Sequence, residues 1–328
     1  MKFMIAGLGS IGRRHLKNLR ALGESDILLY RTHLGALPED ELAGYPTEHD
    51  LAAALAHKPD AVIVSNPTAL HLDIAIPAAR SGCHLLLEKP VSHSLDRIDQ
   101  LEDAVQHGGG QVLVGYQFRF HPGLRCVKQL LAEGAIGRPL SVRAHWGEYL
   151  PSWHPWEDYR LGYSARQDLG GGVILTLSHP LDYLCWLFGE VVEVWALAAK
   201  LSDLDLEVED NAEIGLRFGS GVLGSLHLDY IQRPPEHKLE IIGSHGSIRW
   251  DNADGETALF SADYKQWERF PVPQDFERNH LFLWQMEHFL EVVQSKTAPL
   301  CSLGDGIQAL RLALAAHKSQ DQGALIHL

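Results

Sequence analysis

The stretch Gly7–Gly12, which reads GLGSIG, lies between a short apolar run and a helical pattern. A GxGxxG motif between a strand and a helix is typical of dinucleotide-binding turns. The first glycine permits the tight turn, the second lets the backbone approach a pyrophosphate, and the third allows close helix–strand packing. Amide groups at the helix start favour the phosphates. The candidate cofactor-binding residues in this stretch are Gly7, Gly9, Ser10, Ile11 and Gly12. A tight turn that binds no ligand is the alternative.

Short apolar runs alternate with helical patterns through the first third of the chain. Strands are predicted at Lys2–Ala6, Ile27–Tyr30, Ala61–Val64, His84–Leu87 and Gln111–Val114. Helices are predicted at Ile11–Leu22, Asp50–His57, Leu70–Ser81 and Leu95–His107. Strands that are joined by single helices pair in parallel through right-handed crossovers, so the pattern predicts a doubly wound α/β sheet.

The pattern changes after about residue 121. A predicted helix over Pro122–Glu133 is followed by strand signals at Leu140–Tyr149, Val191–Ala199, Asn211–Phe218, Val222–Tyr230, Lys238–Gly243 and Ser247–Trp250. Consecutive strands without intervening helices favour an antiparallel sheet. Helical patterns at His280–Ser295 and Gly304–Ser319 close the chain. We therefore expect two domains, residues 1–121 and residues 122–328.

Composition excludes several classes of partner. The 328 residues contain 28 Lys and Arg against 42 Asp and Glu, which gives a formal net charge of −14. Nucleic acids and anionic membranes would be repelled by this charge. The chain contains no run of 18 apolar residues, so a membrane span is not expected. The four cysteines are far apart and without a CxxC pair, which predicts reduced thiols in a cytoplasmic protein.

The end of the second predicted strand bears on the choice of dinucleotide. An Asp or Glu at this place would bind the ribose hydroxyl of NAD, but the sequence has Arg31 and Thr32 there. Arg31 could bind the 2′-phosphate of NADP, with Thr32 or His33 assisting. We therefore predict NADP as the preferred cofactor, with NAD and a merely solvated Arg31 as the alternatives.

Two opposite charges and a proline end the buried strand His84–Leu87. Residues at the carboxyl end of a parallel strand face the ligand crevice. Pro90 disfavours helical geometry at Lys89, so Lys89 should stay extended. A partly desolvated lysine beside a nicotinamide can polarise a carbonyl or exchange a proton with a hydroxyl. The alternative is a Glu88–Lys89 pair that only caps the sheet.

Taken together, these motifs resemble the Gfo/Idh/MocA oxidoreductase family. The resemblance rests on Gly7–His15 (GLGSIGRRH), Ser65–Thr68 with His71, Glu88–Pro90, and Gly115–Phe120 (GYQFRF), in the family's order and spacing. The run Gly170–Gly172 with downstream His179 and Asp182 also fits. The resemblance covers essentially the whole chain and implies no particular substrate.

The resemblance implies an N-terminal Rossmann domain and a C-terminal α/β domain with a large open, mainly antiparallel sheet. That second domain would bind the substrate and mediate a homodimer or homotetramer. Members typically oxidise or reduce sugars, cyclitols or their nucleotide-linked forms, and the catalytic lysine of the family corresponds to Lys89. The further cofactor-binding residues that the resemblance implies are Ser65, Asn66, Pro67, His71, Glu88, Lys89 and Gln117.

A second catalytic group is expected at His179, because an imidazole titrates near neutral pH. Many family members carry an Asp shortly before this histidine. The chain has Thr176 at the nearest position, and Asp168 and Asp182 match that place no better. Pro180 either kinks a helix that spans Val173–Phe188 or starts a shorter one.

Aromatic residues are concentrated between Trp146 and Tyr163, interleaved with charges. Aromatic faces can stack on a sugar ring, and arginines can bind a phosphate or carboxylate in a bidentate manner. Packing against a partner subunit is the alternative. The candidate substrate-binding residues are Lys89, Tyr149, Trp156, Arg160, Tyr163, Arg166, Thr176 and His179.

The sequence thus predicts an NAD(P)-dependent dehydrogenase or reductase that acts on CH–OH groups, with Lys89 and His179 handling the proton. Histidines and cysteines show no metal-ligand spacing, so no metal is predicted. Two other functions stay open. One is an NAD-assisted glycoside hydrolase, and the other is a catalytically silent dinucleotide-binding regulator.

Overall fold

The computed structural model describes residues 1–32 and 40–328. Within these ranges the chain forms two compact units. The first unit comprises Met1–Gln117, Asp168–Gly170 and Arg278–Ile307. The second unit comprises Phe118–Gln167, Gly171–Glu277 and Gln308–Leu328.

Helices and strands are numbered here in chain order over the described residues. The strands are β1 Phe3–Ala6, β2 Ile27–Tyr30, β3 Thr47–Glu48, β4 Ala61–Val64, β5 His84–Leu87, β6 Val112–Val114, β7 Pro139–Gly147, β8 Val191–Ala199, β9 Asn211–Phe218, β10 Leu223–Asp229, β11 Glu236–Gly243, β12 Gly246–Asp251, β13 Thr257–Ser261, β14 Gln266–Phe270 and β15 Ile326–His327. The α-helices are α1 Ser10–Ala21, α2 Leu51–Ala56, α3 His71–Arg80, α4 Ile98–Gly108, α5 Pro122–Ala132, α6 Val173–Thr176, α7 His179–Phe188, α8 Arg278–Val293 and α9 Leu303–Gln322. Over the described residues, none of these helices is long and apolar enough to cross a membrane.

The first unit contains a parallel sheet with the strand order β3-β2-β1-β4-β5-β6. The chain order reverses between β1 and β4, which lie side by side with Ala6 opposite Val64. A crevice at the carboxyl ends of strands forms at such a reversal. All four residues of β4 are fully buried, because a parallel sheet is covered on both faces and its strands need not alternate. The predicted doubly wound fold is confirmed.

The second unit contains a larger sheet with the order β14-β13-β12-β11-β7-β10-β9-β8-β15. Neighbouring strands are antiparallel except for β7 and β10, which are parallel. Burial alternates along β9 and β11, so one face of the sheet is packed and the other is open. This is the large, mainly antiparallel sheet that the sequence predicts. The strands β3, β13, β14 and β15 were not predicted.

The segment around Pro180 forms two helices rather than one kinked helix. Helix α6 ends at Thr176, and α7 begins at His179 with Pro180 in its first turn. Proline is well tolerated at this place, because the first amide groups of a helix have no intrahelical partner. Of the two alternatives, the structure therefore shows the shorter helix.

Helix α8 packs with the first unit, although a contiguous division at residue 121 would give it to the second half of the chain. The guanidinium of Arg14 lies 4.4 Å from the ring centre of Phe282. The amide of Asn279 donates to Asn18 at 3.1 Å. Both contacts fix α8 against α1, and neither is visible in local sequence patterns.

A buried ion pair joins α7 to the segment before α5 in the second unit. The guanidinium of Arg119 binds the carboxylate of Asp182 with two nitrogens, at 2.7 Å and 3.0 Å. Both side chains are at most 3% exposed. We expect Asp182→Ala to lower the free energy of unfolding by about 3–5 kcal/mol, because it leaves a buried guanidinium without its counter-ion. Chemical unfolding followed by tryptophan fluorescence measures this loss.

The matched control is Arg217→Ala, which breaks the half-exposed pair between Arg217 and Glu193 on the sheet surface. We expect this variant to lose at most about 1 kcal/mol. Equal losses in the two variants would contradict the structural role of the buried pair.

Candidate active site

The glycine turn between β1 and α1 is packed tightly at two of its glycines. Gly7 has a φ of +91°, and a Cβ on it would lie 2.4 Å from the amide nitrogen of Asn66. A Cβ on Gly12 would lie 1.9 Å from the carbonyl oxygen of Gly7. The hydroxyl of Ser65 donates to that same carbonyl at 2.9 Å. The turn is thereby held against the carboxyl end of β4.

Gly9 differs from the other two glycines, because a Cβ on it would meet none of the described atoms within 4 Å. Gly9 is the N-cap residue of α1, and Ser10 and Ile11 begin the helix. The N-terminus of α1 therefore opens beside Gly9, where backbone amides and the helix dipole favour an anion. This arrangement fits the pyrophosphate of a dinucleotide.

Arg31 and Thr32 follow β2 directly. Arg31 is half-buried and Thr32 is exposed. The backbone of Arg31 is fixed by two hydrogen bonds. Its amide donates to the carbonyl of Glu48 at 3.1 Å, and its carbonyl accepts from Nδ1 of His49 at 2.8 Å. The predicted role of His33 falls on a position outside the described residues.

The segment after β4 is tied to the loop after β5. The buried ring of His71 lies 2.9 Å from the carbonyl of Pro90 and 3.0 Å from the carbonyl of Asn66. Burial lowers the pKa of His71, and the charge of Glu88 and the hydrogen bonds to these carbonyls oppose that shift. The Asn66 amide donates to the carbonyl of Leu70 at 2.8 Å. His71 thus orients the segment that contains Pro67 and the peptide next to Lys89.

The carboxylate of Glu88 is buried at the carboxyl end of β5. One oxygen lies 2.7 Å from Nε2 of His15, and the other accepts the Lys89 amide at 3.3 Å. Burial acts to raise the pKa of Glu88, but the hydrogen bond and charge of His15 and the charge of Lys89 outweigh it, so the pKa is lowered. His15 had not been assigned a role, although it ends the quoted motif GLGSIGRRH.

The predicted cofactor residues of the first unit therefore share one edge of the parallel sheet. They follow the carboxyl ends of β1, β2, β4, β5 and β6. Gln117, which follows β6 in a short 3-10 helix, is buried. Lys89 is half-buried and precedes Pro90 through a cis peptide bond.

In the second unit, His179 is 2% exposed and lies against aromatic rings. Its ring centre is 5.0 Å from that of Phe118 and 5.4 Å from that of Trp146. His237 stacks on the other part of this cluster, 4.3 Å from Trp146 and nearly parallel to it. Burial holds the pKa of His237 well below its usual value, so this neighbour stays neutral. The hydroxyl of Tyr183 lies 3.2 Å from Nε2 of His237.

Asp168 and Asp182, the two acids that flank His179 in the sequence, lie in different parts of the fold. Asp182 is bound by Arg119 in the ion pair described above. Asp168 lies in a short 3-10 helix that packs with the first unit. Thr176 is buried, and its side chain interacts with Tyr230. The Tyr230 hydroxyl donates to the carbonyl of Ser164 at 3.3 Å.

The glycine run before α6 connects the aromatic segment to the His179 segment. A Cβ on Gly171 would lie 2.3 Å from the carbonyl of Tyr163. The amide of Gly171 donates to the carbonyl of Arg166 at 2.9 Å. Gly172 has a φ of +105° and faces the carboxylate of Glu209, which also accepts the amide of Ile174. Tyr163, Arg166 and the start of α6 are thus brought together.

Three other candidate residues of the aromatic segment, Tyr149, Trp156 and Arg160, have different surroundings. The guanidinium of Arg233 lies 3.9 Å from the ring centre of Tyr149. Trp156 is 68% exposed. Arg160 is exposed and already binds Asp158 with two nitrogens, at 2.8 Å and 2.6 Å. This pair occupies Nε and Nη2 of Arg160, so Nη1 is the nitrogen left outside it.

Comparison with known proteins gives matches over both units. Residues 1–116 match the family described as "Oxidoreductase family, NAD-binding Rossmann fold", and residues 124–249 match the family described as "GFO/IDH/MocA C-terminal domain". A myo-inositol 2-dehydrogenase from Thermotoga maritima is 28% identical, and the alignment covers 100% of this chain and 98% of the relative.

Two solved structures have the same fold. The WlbA dehydrogenase from Bordetella pertussis, in complex with NADH and UDP-GlcNAcA, has a TM-score of 0.83 at 24% identity, over 100% of this chain and 97% of that one. A levoglucosan dehydrogenase in complex with NADH and levoglucosan has a TM-score of 0.87 at 20% identity, over 100% and 98% of the two chains.

The difference between Gly9 and Gly12 gives a test of whether the glycine turn binds the phosphates of the cofactor. We expect Gly9→Ala to fold normally and to bind NAD(P)H about tenfold more weakly or worse, because its Cβ fills the space that a pyrophosphate needs. We expect Gly12→Ala to lose about 1–3 kcal/mol of stability, since its Cβ overlaps the carbonyl of Gly7. Cofactor titration and thermal unfolding separate the two effects. A Gly9→Ala variant with the parent's affinity would contradict the assignment.

Proposed function

Because the chain belongs to the Gfo/Idh/MocA oxidoreductase family, we propose that it transfers a hydride between nicotinamide and a hydroxyl or keto carbon of a sugar, cyclitol or nucleotide sugar. The relatives named above act on or bind compounds of these three kinds. The observation that carries the proposal is the open N-terminus of α1 at Gly9, beside two glycines that packing requires. The open space at Gly9 suits the phosphates of a dinucleotide, and packing among the described residues does not require a glycine at this position.

A bound nicotinamide would supply the hydride chemistry, and the residues of the chain would handle the proton. We assign the proton to Lys89 and His179. The assignment of Lys89 is supported by the hydrogen bond that its backbone amide donates to Glu88, whose carboxylate is in turn hydrogen-bonded to His15. His179 is supported by its burial against Phe118 and Trp146, which excludes water from one side of the ring.

The binding residues are part of the same proposal. Those assigned to the cofactor are Gly7, Gly9, Ser10, Ile11, Gly12, Arg31, Thr32, Ser65, Asn66, Pro67, His71, Glu88, Lys89 and Gln117. Those assigned to the substrate are Lys89, Tyr149, Trp156, Arg160, Tyr163, Arg166, Thr176 and His179. The contacts between Gly171 and the residues Tyr163 and Arg166 support a shared role for the aromatic segment and α6.

Three finer features belong to this proposal as well. Arg31 and Thr32 stand where an acid would select NAD, which supports a preference for NADP. The open face of the second sheet carries exposed apolar side chains such as Trp195, Leu197 and Leu223, which supports a homodimer or homotetramer. All four cysteines are in the thiol form, in keeping with a cytoplasmic location.

The role of Lys89 is tested by Lys89→Met, which keeps the length of the side chain and removes the amine. We expect turnover to fall by about 10²–10⁴-fold, which is the usual contribution of a general acid or base. We expect NAD(P)H affinity to fall much less, because Lys89 is only one of many residues assigned to the cofactor. The assay follows nicotinamide absorbance with myo-inositol, levoglucosan and UDP-sugars. Lys200→Met, at an exposed position of the second unit, is the control.

Unchanged turnover in Lys89→Met would remove Lys89 from the mechanism. Release of a free sugar without net change in the cofactor would replace the dehydrogenase by a cofactor-assisted glycoside hydrolase. Tight cofactor binding without turnover of any compound in the panel would favour a regulator.

The role of Arg31 is tested by Arg31→Ala. We expect affinity for NADPH to fall by about 10–100-fold, since a guanidinium–phosphate hydrogen bond is lost, while affinity for NADH changes little. Arg138→Ala removes an exposed arginine of the second unit and should change neither affinity. Equal losses for NADH and NADPH in Arg31→Ala would contradict the assignment of Arg31 to the 2′-phosphate.

A further inference from the structure

Two histidines lie side by side on the open face of the second sheet. His145 of β7 and His227 of β10 are direct neighbours in the parallel register. Their ring centres are 4.6 Å apart and the rings are inclined by only 19°. The residues on either side of His145, Ala144 and Trp146, are buried, which places the two histidines on the opposite face. This cluster belongs wholly to the second unit.

A buried carboxylate completes the cluster. Asp229 ends β10 two residues after His227 and is only 2% exposed. One of its oxygens accepts the amides of Ile231 and Gln232, at 2.7 Å and 2.6 Å. The other oxygen lies 3.0 Å from Nε2 of His227. The residue paired with Asp229 on β7 is Gly147, and a Cβ there would lie 2.1 Å from that second oxygen.

We propose that His145, His227 and Asp229 bind one divalent cation of the zinc type. One donor atom from each residue lies within 4.8 Å of the others. Two imidazoles and one carboxylate form a ligand set that Zn²⁺ favours. Metal–ligand distances of about 2.0–2.1 Å put tetrahedral ligands about 3.3 Å apart, so the His227–Asp229 pair already fits. The half-exposed ring of His145 reaches the ion by a side-chain rotation.

Neighbouring polar side chains hydrogen-bond to the two histidines and orient them. The carboxylate of Glu213, which lies opposite His227 on β9, is 2.7 Å from Nδ1 of His227. A carboxylate in this position accepts the Nδ1 proton and leaves Nε2 to bind the metal. The side-chain amide oxygen of Gln232 accepts a hydrogen bond from Nε2 of His145 at 2.6 Å. The cluster therefore has the outer hydrogen bonds that metal sites usually show.

The charge around the cluster favours a cation. Asp229, Glu213 and Glu236 contribute carboxylates, with Glu236 4.0 Å from Nε2 of His145. The nearby ammonium of Lys238 binds Glu236 at 3.0 Å and lies 3.7 Å from Asp251, so its charge is largely compensated. The hydrogen bonds with Asp229 and then Glu213 raise the pKa of His227, opposed by burial. A proton is the competitor that a metal ion must displace.

Sequence spacing could not reveal this site, because its histidines come from strands distant in sequence and meet only through the parallel pairing of β7 and β10. The proposal concerns a cation that joins these two strands. It is independent of the proposed dehydrogenase function, and failure of one leaves the other unchanged.

The test is to treat the whole protein with a chelator, remove the chelator, and then titrate the protein with Zn²⁺ in a calorimeter. We expect the parent to bind one Zn²⁺ per chain that a double variant, His145→Gln with His227→Gln, does not bind. The control double variant, His57→Gln with His107→Gln, removes two exposed histidines of the first unit and should retain that ion. Thermal unfolding adds a second readout, because an ion that binds only the folded state raises the melting temperature, and the rise grows with the logarithm of the ion concentration above its dissociation constant.

Glu213→Gln separates a metal site from surface histidine binding. We expect it to weaken Zn²⁺ binding by about 10–100-fold, because the carboxylate that accepts the Nδ1 proton of His227 is lost, with an unchanged melting temperature in the absence of metal. Should the double histidine variant fail to fold, this variant and the Co²⁺ absorption spectrum of the parent carry the test. Equal Zn²⁺ stoichiometry and affinity in the parent and in Glu213→Gln, or no high-affinity ion in the parent, would overturn the proposal.

Discussion

The buried carboxylate of Glu88 is the constraint on which the geometry around Lys89 depends. An ionised carboxylate loses several kcal/mol of solvation on burial and is tolerated only with polar partners. Here the partners are His15 of α1 and the amide of Lys89. Because the glycine turn ties α1 to β1, the same carboxylate links α1, whose N-terminus is the proposed phosphate site, to the backbone that carries the proposed catalytic amine. A substitution at His15 would therefore alter the position of Lys89 indirectly, through Glu88.

The parts of the fold that depend on local signals could be predicted from the sequence. The strands Ile27–Tyr30, Ala61–Val64 and His84–Leu87 have the predicted bounds, because short, continuously apolar runs between helical patterns have few other ways to be buried. The glycine turn is equally local, since its close approaches lie within the motif and at the end of β4. The residues predicted to bind the cofactor lie along one sheet edge, because parallel strands share their carboxyl ends.

The features that were missed depend on contacts between distant segments. The apolar pattern of α8 does not show which of the two units the helix packs against. The contacts of Arg14 and Asn18 with α8 show that it packs with the first unit. Asp182 was an acid without an assigned role until the structure placed Arg119 against it. The parallel pairing of β7 with β10 is likewise invisible, because each strand alone shows only the alternation of a one-sided sheet.

The register between β7 and β10 connects the two faces of the second sheet. His145 and Trp146 are consecutive, so the pleat sends one side chain to the open face and the other to the aromatic cluster beside His179. A slip of one residue would exchange them and expose the indole. A cation shared by His145 and His227 would oppose that slip, since the slip would carry one of its ligands to the buried face. The outward cluster and the surroundings of His179 are thus linked through the register of β7 and β10.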